Sequence, residues 1–342
     1  MICGFDGAKI DRGLKKTIKD GLGGTILFPR NIGSPKSMLK LSKSLRDAWG
    51  ESGVIISIDH EGGRVTRLGE PFTKFPPMSE IGKTGDKELA RAVGAAMGRE
   101  LAAVGINLDF SPVVDLAEPD TQKVIGDRSF GTDPQKVATM AAAFVEGMQS
   151  EGVAACAKHF PGHGSVAGDS HVELPETDAC REDMERHMAP FKHLASSGVA
   201  SVMTAHIKTR CIDPYHPATI SPAIVGGILR DKWNYEGVII TDDLEMAAIA
   251  DSVGVVDGAF MAVRAGADML MVAHNTDLAV EVRKKLDLAV RHMLLPIEEI
   301  TSSFERVSRL KERFPACRPD IPPLDAIGCA EHRKLAASIG KS

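Results

Sequence analysis

The sequence predicts an α/β protein: a single (β/α)8 (TIM) barrel with a C-terminal helical tail. Three observations lead there. Eight short apolar runs recur along the first 272 residues, and such runs suit parallel strands buried on both faces. Each run is followed by a polar cluster and then an amphipathic stretch, and strict strand–helix alternation means a mostly parallel sheet. Eight such units fit into fewer than 300 residues with no GxGxxG or P-loop at a strand–helix junction, so a closed barrel is expected rather than an open doubly wound sheet.

The expected strands are 2–5 (cut short by the terminus), 25–28, 54–58, 106–110, 153–157, 200–205, 238–241 and 267–272. Between them, 11–22 carries Leu14, Ile18 and Leu22 at helical spacing, 37–49 carries Leu39, Leu41 and Leu45, and 86–104 is Ala-rich. Asp133-Pro134 and Ser221-Pro222 each read as an N-cap followed by proline at the first helical position. Helices over 183–197, 249–264 and 277–294 complete the series, and the tail adds one from Ile297 to about Phe314. The expected organisation is a barrel over 1–314, then a Pro-rich link (Pro315, Pro319, Pro322, Pro323) and a short helix over 315–342.

Composition agrees. At about 150 residues per domain, 342 residues would suggest two domains, but barrels of this size form one. The chain is 43% hydrophobic and only 5% aromatic, which implies an aliphatic core. Forty-one Lys and Arg against 46 Asp and Glu leave a net charge of −5, so charge provides no reason to expect nucleic acid or an anionic membrane as partner. The N-terminus lacks a cationic segment followed by an apolar run, and no stretch approaches 18 apolar residues. Cys3, Cys156, Cys180, Cys211, Cys317 and Cys329 include no CxxC pair and no zinc or disulfide spacing, which favours a reducing compartment. The expectation is a cytoplasmic monomer.

Polar residues gather after the apolar runs: Asp6; Arg30 and Asn31; Asp59, Glu61, Arg64 and Arg67; Asp109 and Asp115; Lys158, His159 and His163; His206; Asp242 and Asp243; His274. In a barrel these are the C-terminal strand ends, where active sites lie, whereas the opposite ends begin mostly with Gly or Ala. Any one of them could instead be a cap or turn residue.

The densest segment is AKHFPGHGSVAGDSH, 157–171. His159 and His163 stand four apart, a metal-ligand spacing on a helix, but Pro161 and Gly162 between them argue against one. A structural loop with capping histidines is a second reading. In Asp169-Ser170-His171, residues two apart face the same way in an extended loop, so the carboxylate can hold the imidazole for proton transfer near neutral pH. Asp242 directly ends the seventh run and should project into the barrel mouth, as nucleophile, electrostatic stabiliser or cap; Asp243 is the better cap candidate. A carboxylate there facing a proton donor is the arrangement of a retaining glycosidase.

From about Gly4 to Leu310 the chain resembles glycoside hydrolase family 3, most nearly its single-domain β-N-acetylglucosaminidase (NagZ-type) branch. The resemblance rests on GFDG (4–7), LFPRNI (27–32), IDHEGGRVTRL (58–68), NLDFSPVVD (107–115), IGDRSFGTDP (125–134), KHFPGHG (158–164), DSH (169–171), MTAH (203–206), TDDLEM (241–246) and AGADMLM (265–271). It implies that Asp242 attacks the anomeric carbon and that His171, with Asp169 as dyad partner, is the general acid/base. It further implies that Asp59, Arg67, Arg128, Lys158 and His159 hold the sugar hydroxyls, with no metal or organic cofactor. Larger members carry a glutamate acid/base on a second α/β domain for which this length leaves no room. The implied substrate is a terminal β-linked N-acetylglucosamine, as on muropeptides in peptidoglycan recycling.

Four alternatives stay open. They are a β-glucosidase or β-xylosidase, a phosphorylase (neutral imidazole does not repel phosphate), a silent sugar-binding barrel, and a metal-dependent hydrolase using His159, His163 and His206.

Overall fold

The computed structural model describes the chain except residues 11, 122, 167–169, 171–173 and 341–342. Eight parallel strands close into a barrel: β1 (Ile2–Cys3), β2 (Gly24–Leu27), β3 (Ile55–Ile58), β4 (Leu108–Asp109), β5 (Ala154–Phe160), β6 (Ser201–Thr204), β7 (Val238–Asp243) and β8 (Met269–Val272). Each pairs with its neighbours in sequence, and β1 closes on β8 through Ile2 opposite Met271. At Gly24 the backbone of β3 comes so close that a Cβ would lie 2.6 Å from the Ile55 carbonyl oxygen.

Both faces of the strands are apolar, and parity divides them. Ile55, Ala154, Cys156, Val238, Ile240, Met269 and Met271 pack together inside the barrel. Ile56, Ala155, Ala157, Ile239, Leu270 and Val272 pack outward against the helices. Leu310 and Phe314 of the tail join the inner cluster, and the Phe314 carbonyl accepts from Asn107 Nδ2 at 2.7 Å. Phe314 is 1% exposed, so truncating it to alanine should cost about 3–5 kcal/mol.

Helices alternate with the strands, and short polar side chains start several of them. Asp133 accepts from the Lys136 N–H at 2.7 Å ahead of Pro134–Ser150. Asp86 caps Lys87–Ala103 and Asn275 caps Thr276–Arg291 in the same way. Pro35–Trp49 begins two residues before its expected start, with Ser34 as cap and Pro35 in the first turn.

Four further differences from expectation have local causes. Strands β5 and β7 run on through Phe160 and Asp243, because polar residues still offer backbone donors and acceptors to the ladder. The stretch 249–264 is split into Ala247–Ala250 and Val255–Ala265 by Gly254, whose φ is +78°. After Ser221-Pro222 the chain forms a π-helix, Val225–Lys232, that contains Gly226 and Gly227. A helix at Met78–Thr84 and a hairpin of His60–Gly62 with Val65–Thr66 were not expected. Among the described residues no helix is long and apolar enough to cross a membrane.

Candidate active site

Inner-face parity runs past the apolar part of three strands. Residues 55, 57 and 59, then 154, 156 and 158, then 238, 240 and 242 face the barrel interior in turn. Their last members are Asp59, Lys158 and Asp242. These three, with Arg67, Arg128 and His159, line one cavity of about 420 Å³ at the C-terminal mouth. A larger groove of about 970 Å³ lies at the opposite end beside Met1, Trp49 and Phe304. Barrel enzymes use the C-terminal mouth, and conservative structure accumulates at the other end.

Glu61 organises the mouth. It is 1% exposed, accepts two bonds from Arg128 at 2.8 Å each, and faces Lys158 Nζ at 2.6 Å. Lys158 also donates to Asp59 Oδ1 at 2.8 Å, and Arg67 lies 3.8 Å from Asp59 Oδ2. Burial works against the Glu61 charge, but the Arg128 guanidinium and the Lys158 ammonium overcome it and hold the carboxyl far below the usual range. Burial likewise opposes the Lys158 charge, and Asp59 and Glu61 raise its pKa above the ordinary lysine value. The cavity wall thus carries three cations (Arg67, Arg128, Lys158) matched by Asp59, Glu61 and Asp242. Such balance, with paired donors and acceptors, suits neutral polyhydroxylated ligands.

Asp115 organises the other side. Its carboxylate accepts from the His159 N–H at 3.0 Å and the His163 N–H at 2.6 Å, and faces His159 Nδ1 at 2.7 Å. Burial opposes its charge, but His159 and these donors lower its pKa. For Asp242 too, burial is the largest effect. The His159 and His206 rings and the Asp243 N–H, 2.8 Å from Asp242 Oδ1, outweigh it and keep the carboxyl below its ordinary pKa. Asp242 is therefore an ionised carboxylate on the cavity wall, as a nucleophile at carbon must be.

Asp243 behaves differently. It accepts from Glu245 N–H and Ala273 N–H at 3.1 Å each, as a cap would, yet burial first, then Glu245 and Asp242, push its carboxyl up to about 7. Asp169 and His171 lie outside the described residues; Ser170 between them is buried and lines the cavity.

Several other mouth residues do structural work. Arg30 and Asn31 bond the Phe5 carbonyl at 2.9 Å each, joining the first two loops. Arg64 pairs with Asp127 and with the Lys123 and Val124 carbonyls, securing the loop that bears Arg128. His206 uses both ring nitrogens, on Thr219 Oγ1 and the Asp243 carbonyl. Asp109 is fully buried with its carboxyl pushed well up by burial, and Oδ1 accepts from the His60 N–H. Glu61 and Asp115 stood in the strand-end clusters, but their organising contacts depend on loops 67 and 44 residues away.

The model of the glycosyl hydrolase family 3 N-terminal domain matches residues 4–310. The chain belongs to glycosyl hydrolase family 3. It is a glycoside hydrolase with the family barrel. A β-hexosaminidase of Thiobacillus denitrificans is 39% identical over 282 residues, 80% of this chain and 78% of that protein. Among solved structures, a family 3 β-N-acetylglucosaminidase from a Paenibacillus species superposes with a TM-score of 0.93 at 37% identity. The match covers 98% of this chain but only 66% of that longer protein. NagZ from Neisseria gonorrhoeae, in complex with N-trifluoroacetyl-D-glucosamine, gives a TM-score of 0.86 at 31% identity, covering 99% of this chain and 96% of its own.

Proposed function

We propose that this family 3 enzyme is a retaining exo-β-N-acetylglucosaminidase. Asp242 attacks the anomeric carbon and forms a covalent glycosyl ester as the bond to the aglycone oxygen breaks. His171, oriented by Asp169, gives its proton to that oxygen and then takes one from the water that releases the sugar. Asp59, Arg67, Arg128, Lys158 and His159 hold the hydroxyls of the terminal sugar.

The observation that carries this reading is the ionised, half-buried Asp242 on the wall of a charge-balanced cavity. Relatives named β-hexosaminidase and β-N-acetylglucosaminidase, and a relative solved with an N-acylated glucosamine, support the sugar. We take the natural substrate to be a short glycan or muropeptide ending in β-linked N-acetylglucosamine, processed in the cytoplasm during cell-wall recycling.

The test compares 4-nitrophenyl β-N-acetylglucosaminide with the matching glucoside and xyloside. Preference for the N-acetylated substrate is expected, with loss of turnover by about 10⁴-fold or more in Asp242→Ala. Wild-type turnover in that variant would exclude Asp242 as nucleophile. A slow fluorinated glycosyl donor should leave one glycosyl mass on the peptide that contains Asp242.

A further inference from the structure

His163 lines the cavity but has no part in the reaction just described. Its position is rigidly determined. Gly162 has a φ of +126°, and a Cβ there would lie 2.8 Å from that of His187. A Cβ on Gly164 would lie 2.1 Å from the Leu116 carbonyl oxygen, so the turn is packed tightly against its surroundings. Asp115 then holds the His163 backbone N–H at 2.6 Å.

From this fixed base the His163 ring reaches Ser170: Nε2 lies 3.2 Å from Ser170 Oγ. The ring is buried, and among the described residues its Nδ1 has no hydrogen-bond partner. A bare acceptor lone pair in that position is less costly than a stranded N–H, so the favoured tautomer carries its hydrogen on Nε2 and donates to the serine. Burial first, and then His159, lower the His163 pKa, so the ring is neutral at pH 7 and competes for no proton.

Ser170 is tied on its other side too. Its carbonyl lies 3.4 Å from the Ala248 N–H, in the short helix Ala247–Ala250 that follows the strand bearing Asp242. One small buried residue therefore spans from the β5 loop to the β7 loop, and its chain neighbours are Asp169 and His171.

We propose that His163 is a positioning residue for proton transfer: it holds Ser170, the residue that joins Asp169 to His171 in the chain. This rests on His171 being the acid/base.

The experiment measures kcat/KM for His171→Ala, Ser170→Ala, His163→Ala, His163→Gln and the His163→Ala/Ser170→Ala double variant, with thermal melts for each. Two substrates are used, a 4-nitrophenyl N-acetylglucosaminide, whose leaving group needs little protonation, and an N-acetylglucosamine disaccharide, whose leaving group needs much. Misplacing a catalytic group by about 1 Å can cost about 10²-fold. Ser170→Ala and His163→Ala should therefore lose about 10- to 100-fold on the disaccharide and less than about threefold on the aryl substrate. His163→Gln, which keeps an amide donor near the Nε2 position, should recover most of the disaccharide rate, and the double variant should be no worse than His163→Ala. Equal losses on both substrates, or multiplying losses in the double variant, would overturn the positioning role. If His171→Ala itself fails to separate the substrates, the acid/base assignment falls and this inference with it. If His171→Ala separates them and Ser170→Ala does not, only the inference falls.

Discussion

Replacing Glu61 with glutamine tests whether the cations of the cavity wall, Arg128 and Lys158, are held in place by one buried carboxylate. Glu61 accepts both Arg128 bonds and the Lys158 contact, and it is 1% exposed. Glutamine has one oxygen and turns an N–H₂ toward the cations. It keeps one acceptor, loses the fork to Arg128, and leaves Lys158, itself 2% exposed, under-neutralised. Unpairing a buried ion pair costs about 3–5 kcal/mol, and the retained acceptor favours the low end, about 3 kcal/mol. At about 2.1 cal/mol/K per residue, a 342-residue chain unfolds with an entropy near 0.7 kcal/mol/K, so Tm should fall by about 4 °C. Since Asp242 is untouched, the kinetic effect should appear as a KM rise of about tenfold with a smaller change in kcat. The Glu61 carboxyl is depressed by folding, so its contribution is fully present above the unfolded value near 4.5 and fades only as pH falls through the folded value far below. The stability gap between wild type and variant should therefore be flat from pH 5 to 9. Calorimetry across that range, with kinetics on a chromogenic N-acetylglucosaminide at pH 7, makes the measurement. A Tm shift under about 1 °C with unchanged KM would refute the organising role of Glu61.

Three other outcomes follow from the same geometry. Asp243 is raised by folding to about 7, so its effect has the opposite sign: stability is present below about 3.8 and lost as pH rises through 7. Asp243→Asn, which mimics the protonated acid, should match wild type in stability near pH 3 and exceed it at pH 8 by an amount on the order of a few kcal/mol; an equal gap at both pH values would count against the shift. Incubation with EDTA should leave kcat/KM unchanged, because both ring nitrogens of His206 are bonded and the described residues include no cluster of three His, Cys, Asp or Glu side chains placed to hold a metal ion; zinc-restored activity after chelation would revive a metal-dependent reading. Added phosphate should leave free N-acetylglucosamine as the product, since Glu61 and Asp59 already neutralise Arg128 and Lys158; appearance of the 1-phosphate would show phosphorolysis.

The barrel was readable because both its periodicities are written locally. Apolar runs marked all eight strands, and caps such as Asp133 with Pro134 marked helix starts. The errors arose where local composition and backbone pairing part company. Lys158, His159, Asp242 and Asp243 are polar, so each strand seemed to end before them. Their backbones nonetheless continue the ladder: the Lys158 N–H reaches the Pro112 carbonyl at 3.2 Å, and the Lys158 carbonyl accepts from Val114 at 2.9 Å. Both β5 and β7 change register near these residues, between Ala157 and Phe160 and between Ile240 and Asp243. Such irregularities are how strand ends re-aim side chains beside active sites, and no composition rule announces them.

The two adjacent aspartates show where sequence reasoning ends. Asp242 and Asp243 are identical in chemistry and one bond apart. Strand parity separates them, since 242 continues the inward series of 238 and 240 while 243 is left to cap the following turn. That much follows from a period of two. The protonation contrast does not. Asp242 stays ionised because His159 and His206 reach it from β5 and the β6 loop, whereas burial, Glu245 and Asp242 raise Asp243 to about 7 even with His274 Nε2 3.7 Å from its Oδ2. Burial raises both carboxyls. What divides them is which side chains fold alongside, and those come from segments tens of residues away. An ionised carboxylate beside a carboxyl that is half protonated near neutrality is a property of the closed barrel, since opening the sheet between β5 and β7 would remove His159 and His206 and leave two aspartates with equal claims.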